Sequence, residues 1–149
     1  FKTEVVPGVT AAIAAAASIQ RPLTRRGNGR SVSLSTAMTK AGELRASRSA
    51  DTEVFYMAGR QLAALSRRLL EAGWVGETPV CVVSRAGWPD ELASDHTVGT
   101  LAQASLLHAG RPAIVTVGAG AAPLRHGAAA QEKTLQGLAR ATSPETTKS

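Results

Sequence analysis

The residue types that carry chemistry are sparse in this chain, and their spacing argues against most reaction classes. His96, His108 and His126 never fall at metal-ligand spacing with one another, so no metal site is assigned to them. Cys81 is the only cysteine. It sits among valines in Pro79-Val80-Cys81-Val82-Val83, where a buried structural thiol is expected rather than a nucleophile. A single cysteine also excludes a disulfide scaffold or a cysteine zinc site within one chain, and it suits a reducing cytoplasm. Serine, histidine and aspartate all occur, but no Gly-x-Ser-x-Gly elbow presents a serine for attack. Gly118-Ala119-Gly120 opens like a dinucleotide fingerprint but lacks its third glycine and a clear following helix. Asp90 and Glu91 are adjacent and read as a solvated loop, so no catalytic carboxylate pair is assigned.

Positive charge is the stronger signal. The 149 residues carry a net charge of +6, with 17 Lys and Arg against 11 Asp and Glu. Between Val5 and Gly42 there is no acid, while Arg21, Arg25, Arg26, Arg30 and Lys40 all occur. Such a field attracts nucleic acid or a small polycarboxylate. Aromatic residues make up only 3%, which weakens a base-stacking platform and favours the polycarboxylate.

The elements that must position these residues follow from periodicity. Val5-Val6 suits a short strand before the turn Pro7-Gly8, and Thr10 is placed to cap a helix from Ala11 to about Ile19, ended by Arg21-Pro22. Residues 25–30 read as a basic loop. Residues 31–36 alternate polar and apolar as a half-buried strand does. A polar loop over 37–51 leads to a strand at Thr52–Met57. A helix from about Arg60 to Ala72 puts Leu62, Leu65, Leu69 and Leu70 on one face and stops at Gly73. Residues 79–83 suit a strand buried on both faces. Ser84–Glu91 is a loop, His96–Thr100 a strand, Leu101–His108 a short helix, and Pro112–Gly118 the last strand. Residues 121–149 read as a mobile tail. This alternation predicts an α/β fold with a mixed sheet of about five strands flanked by helices. Met57, Ala86 and Gly118 fall at or just after strand C-termini, where open α/β sheets place ligands. No run of about 18 apolar residues exists, so neither a membrane span nor a membrane partner is expected. Residues 9–19 are apolar but short and lack a signal peptide's charged leader. Because the chain opens on Phe1, its natural start is expected upstream.

Four segments carry a resemblance to a known family. They are Val5-Val6-Pro7-Gly8-Val9-Thr10-Ala11, Arg21-Pro22-Leu23-Thr24-Arg25-Arg26, Val54-Phe55-Tyr56-Met57 and Pro112-Ala113-Ile114-Val115-Thr116-Val117-Gly118. In this order and spacing, from Glu4 to Gly118, the chain resembles the C-terminal part of the tetrapyrrole (corrin/porphyrin) methylases. Within that family it is nearest to the uroporphyrinogen-III C-methyltransferases of sirohaem and cobalamin biosynthesis. Arg85-Ala86-Gly87-Trp88-Pro89-Asp90-Glu91 instead resembles the precorrin-4 C-methyltransferase loop, which keeps that substrate as the alternative.

The resemblance implies S-adenosyl-L-methionine as cofactor and a tetrapyrrole as substrate. It implies two α/β domains with the cofactor between them: residues 1–10 end the N-terminal domain, and 11–120 form the C-terminal domain. The chain would then hold half of an active site, lack the N-terminal domain, and not methylate alone. Carried over by position, Thr10, Ala11, Met57, Ala86 and Ala113 contact the cofactor, Met57 through its strand-end backbone. No catalytic residue is carried over. Arg25 and Arg26 are the candidates for the substrate carboxylates, since guanidinium meets carboxylate bidentately. A cytoplasmic homodimer is expected, and nucleic acid is not. A non-catalytic dimerisation half or a basic binding fragment is the reading of another class.

Overall fold

The computed structural model describes residues 1–124. The elements run α1 (Ala11–Ser18), β1 (Val32–Thr36), β2 (Thr52–Tyr56), α2 (Leu62–Glu71), β3 (Pro79–Ser84), β4 (Leu92–Thr97), a 3-10 turn (Leu101–Gln103), α3 (Ala104–Leu107) and β5 (Ala113–Gly118). The five strands form one mixed sheet in the order β1-β2-β5-β3-β4. Strands β1 and β2 are parallel, and every other pair is antiparallel. The last strand therefore fills the centre.

The three central strands are buried on both faces, and alternation divides their side chains. Phe55, Val80, Val82, Val115 and Val117 pack with Leu62, Leu65 and Leu69 of α2 and with Leu101. Val54, Cys81, Val83 and Ile114 face the other way, against Ala12 and Ala15 of α1. The small side chains of α1 let it lie close to the sheet. Burial pushes the Cys81 thiol up to about 12, so it stays protonated and inert.

Both helix ends have a physical cause. After α2, Gly73 takes φ +94, and the Gly73 and Trp74 amides donate to Leu70 and Leu69 carbonyls. After α1 the same motif forms, but Gln20 holds the left-handed position at φ +55. The Gln20 and Arg21 amides donate to Ala17 and Ala16 carbonyls. The chain turns at Gln20, one residue before Arg21-Pro22.

Five expectations need correction. Val5-Val6 forms no strand; Val5 is 88% exposed, and no neighbouring strand among the described residues offers it a ladder. The fourth strand spans Leu92–Thr97 rather than His96–Thr100, because pairing with β3 fixes its phase and the Val98 and Gly99 amides turn back onto Thr78 and Gly76 carbonyls. Leu70 is 45% exposed, since it lies about 100° around the helix from Leu69. Thr10 occupies the N-cap position but makes no side-chain cap; its hydroxyl bonds Tyr56 Oη at 2.5 Å instead. Ala121 is buried, so the packed chain runs past 120, and residues 125–149 of the expected tail lie outside the described residues. No described helix is long and apolar enough to cross a membrane.

Candidate functional site

Strands β1, β2 and β3 point one way, and β4 and β5 the other. One sheet edge therefore gathers the C-termini of β2 and β3 with the N-terminus of β5. Gly118, the C-terminus of β5, lies at the opposite edge, paired with Thr52. It thus leaves the group of strand ends expected to share a crevice. Its φ is +91, and a Cβ there would come within 2.2 Å of the Asp51 carbonyl, so close packing explains this glycine.

At the first edge lies a cavity of about 310 Å³, within the range of small-molecule sites. Ala11, Met57, Ala86 and Ala113 line it together, with Tyr56, Val83, Arg85, Trp88 and Ile114. These residues come from a helix start, two strand ends and a strand start. Thr10 stands behind this wall through its bond to Tyr56 Oη. A second cavity of about 440 Å³ continues the first and shares Met57, Pro112 and Ala113 with it. The two form a trough along the sheet edge. Gly59 permits this shape, because a Cβ there would meet the Arg111 carbonyl at 2.8 Å.

Two non-glycine residues on the trough have positive φ: Met57 at +58 and Arg85 at +53. Left-handed backbone in such residues costs about 1–3 kcal/mol and clusters at functional sites. Arg85 ends β3 with its amide on the Pro112 carbonyl at 3.0 Å. Its Nε pairs with Asp90 Oδ1 at 2.7 Å, and its guanidinium lies over the Trp88 ring at 4.7 Å. The Gly87 amide donates to Glu91 Oε2 at 2.6 Å, which closes the loop over 85–91. Asp90 is held below the usual carboxylate range, first by the Arg85 hydrogen bond.

A buried polar relay supports this loop. Arg111 Nε donates to Ser84 Oγ at 3.0 Å, and Arg111 Nη2 donates to the Asp90 carbonyl. Ser84 Oγ meets His108 Nδ1 at 2.9 Å, and Ser94 Oγ lies 2.8 Å from both His108 Nε2 and His96 Nε2. If Ser84 accepts from both Arg111 and His108, then His108 Nδ1 carries the proton and Nε2 accepts from Ser94. Burial, then His96 and Arg111, hold the His108 imidazole below its ordinary pKa. Spacing in the sequence hid this meeting of His96 and His108, since it depends on β4 running back past β3.

The structure places Arg25 and Arg26 elsewhere. Arg25 bonds the Ala122 and Pro123 carbonyls, and Ala122 shares a hollow with Pro79 and Gly118 at the other sheet edge. That is about 17 Å from the trough, the length of a five-residue strand. Arg26 is exposed. The cations that do line the trough are Arg60, Arg85 and Arg111. Sequence reading followed the longest acid-free run and passed over arginines standing singly beside strand ends. That position is the signal that would have found them.

Among the described residues the trough has apolar walls, two aromatic side chains, Tyr56 and Trp88, and cationic rims. Such a surface can bind and orient a ligand.

The chain is similar to known proteins. A precorrin-4 C(11)-methyltransferase of Mycobacterium tuberculosis is 40% identical over 106 residues, covering 66% of this chain and 42% of that protein. A uroporphyrinogen-III C-methyltransferase of Synechocystis sp. is 36% identical over 127 residues, covering 80% of this chain and 48% of that protein. The solved uroporphyrin-III C-methyltransferase of Thermus thermophilus, complexed with S-adenosylhomocysteine, matches with a TM-score of 0.66 at 26% identity. That match covers 77% of this chain and 52% of the solved one. The chain thus spans about half the length of these relatives. The family model of the tetrapyrrole (corrin/porphyrin) methylases matches residues 1–104, most of the described fold and both strand ends of the trough, and the chain belongs to that family.

Proposed function

We propose that this chain forms the cofactor-binding half of an S-adenosylmethionine-dependent uroporphyrinogen-III C-methyltransferase. One observation carries the reading: Ala11, Met57, Ala86 and Ala113, from four separate segments, line one cavity. The solved relative that holds S-adenosylhomocysteine supports the choice of cofactor. In this reading residues 11–120 are the C-terminal domain, residues 1–10 lead in from an N-terminal domain, and the complete protein is a homodimer. The bound cofactor supplies a sulfonium methyl, which a nucleophilic ring carbon takes. The residues of this chain bind and align; Tyr56, braced by Thr10, walls the cavity, while Val83 and Ile114 give it an apolar floor.

Precorrin-4 as substrate is the second reading, favoured by the Arg85–Glu91 loop and by the 40% identity to the mycobacterial relative. Calorimetric titration of S-adenosylhomocysteine into the chain tests the cofactor reading, with one saturable site expected. A folded chain that gives no binding heat would sink it. Methyl transfer by the complete protein to uroporphyrinogen III or to precorrin-4 decides between the substrates.

A further inference from the structure

We infer that Ser84 and His108 are positioning residues for the cofactor cavity proposed above. Neither lines it. They fix Arg111, Arg111 fixes the loop over 85–91, and that loop supplies Ala86 and Trp88 to the cavity wall. The inference rests on the cofactor reading, and it adds that cofactor affinity depends on a proton held outside the cavity.

Proton bookkeeping gives this chain of bonds one direction. Ser84 Oγ has one hydrogen to give and two lone pairs. Its hydrogen goes to the Leu92 carbonyl at 3.5 Å. Arg111 Nε can only donate, and it takes one lone pair at 3.0 Å. The other lone pair accepts the Nδ1 hydrogen of His108 at 2.9 Å. His108 Nε2 is then the bare nitrogen of a neutral ring. It accepts from Ser94 Oγ, which in turn accepts from His96 Nε2. Ser84 and His108 are both fully buried, so bulk water does not replace a lost partner.

A second proton on His108 breaks this order at two points. Its Nε2 would meet the Ser94 hydrogen head-on, so Ser94 would have to reverse and His96 change tautomer. An imidazolium would also stand one serine away from the Arg111 guanidinium. Among the described residues the charged and titratable groups set against His108 are His96 from β4 and Arg111 from the lead into β5, and both oppose the added charge. The direct relief is movement of Arg111, which releases the Asp90 carbonyl and carboxylate. Asp90 is the residue that Arg85 and Arg111 share, so the cavity wall shifts with it.

The test titrates S-adenosylhomocysteine into the full chain from about pH 8 to about pH 5.5, across the range where an imidazole takes its proton. It compares the parent with Ser84→Ala, His108→Asn and Ser66→Ala. Asparagine keeps a donor near the Nδ1 position and cannot titrate. Ser66 Oγ donates to the Val98 carbonyl at 2.6 Å, outside the relay, so Ser66→Ala shows what losing one buried serine bond does to the fold alone. Ser84→Ala is expected to bind about tenfold more weakly at the alkaline end. Ser66→Ala binds like the parent despite a similar loss of melting midpoint. Parent affinity falls about fivefold toward the acid end, while His108→Asn keeps the parent's alkaline affinity with a flat profile. Acrylamide quenching follows Trp88, which is 61% exposed while Trp74 is buried, and Ser84→Ala changes it without ligand. An acid decline that survives in His108→Asn would overturn the inference, as would a flat parent profile. So would affinity losses in Ser84→Ala and Ser66→Ala that simply track their midpoints, or a Ser84→Ala variant that binds and quenches like the parent. Those outcomes leave the cofactor reading standing; a folded parent that binds no S-adenosylhomocysteine overturns the proposed function and the inference with it.

Discussion

Met57 leaves β2 at φ +58 with its side chain 69% exposed, so little packing offsets the strained backbone. Met57→Gly should therefore keep or raise stability, by up to about 1 kcal/mol. Met57→Pro cannot reach that φ, because the ring locks it near −65°, and it should lose both stability and cofactor affinity. Met57→Leu keeps the backbone and nearly the volume and should be mild. Thermal melts with calorimetric titration of S-adenosylhomocysteine read both effects; a Met57→Pro variant as stable as the parent would remove the strain argument. That Met57, Ala86 and Ala113 come together on one cavity was legible in the sequence, because strand boundaries place them at one end of the sheet. Arg25 was not. Its guanidinium was expected on a ligand and lies instead on the Ala122 and Pro123 carbonyls, nearly 100 residues away in sequence. A long side chain's direction is set by tertiary neighbours, which a run of like charges does not reveal.

Helix α1 has unequal ends. At its start the Thr10 hydroxyl serves Tyr56, and at its finish Gln20 holds a position that glycine prefers. Gln20→Gly should thus raise stability by about 0.5–1 kcal/mol, or about 3 °C in the melting midpoint. A lower midpoint would show that the Gln20 side chain gives more to the fold than its strained backbone costs. The same motif after α2, with Gly73 in place, was legible because glycine announces it. The helices and the buried strands were legible for a similar reason: apolar period and β-branched runs are strong local signals. Strand β4 was mis-phased because Leu92-Ala93-Ser94-Asp95-His96-Thr97 is mostly polar, and its only apolar alternation is weak. What holds it is non-local: its ladder with β3, and Asp95 paired to both guanidinium nitrogens of Arg21 across the sheet face.

At the scale of the whole molecule, a mixed five-stranded sheet was legible, but its order was not. No local pattern says that β5 inserts between β2 and β3. That insertion creates the trough edge, and it brings Arg111 beside the pair Ser84 and His108. Titration of this relay should then govern how the fold responds to acid. His108 is fully buried, faced by Ser84, Ser94, His96 and Arg111, and its imidazole is held below the ordinary value. The unfolded chain takes this proton below about pH 6.5, while the folded chain refuses it until a lower pH. Stability is therefore present above about pH 6.5 and falls as pH drops through that window. The carboxylates act lower. Burial pushes Glu53 up, but hydrogen bonds from Ser47, Ser49 and Ala50 outweigh it; Asp95 is lowered chiefly by Arg21. Both folded values lie below the unfolded ones, so their contribution is lost only below about pH 4. Urea unfolding measured from pH 7.5 to 3.5 should show two separate declines. His108→Gln should cost stability at neutral pH yet flatten the upper decline and leave the lower one. An upper decline of unchanged slope in that variant would place the acid sensitivity on another group and remove His108 from the account.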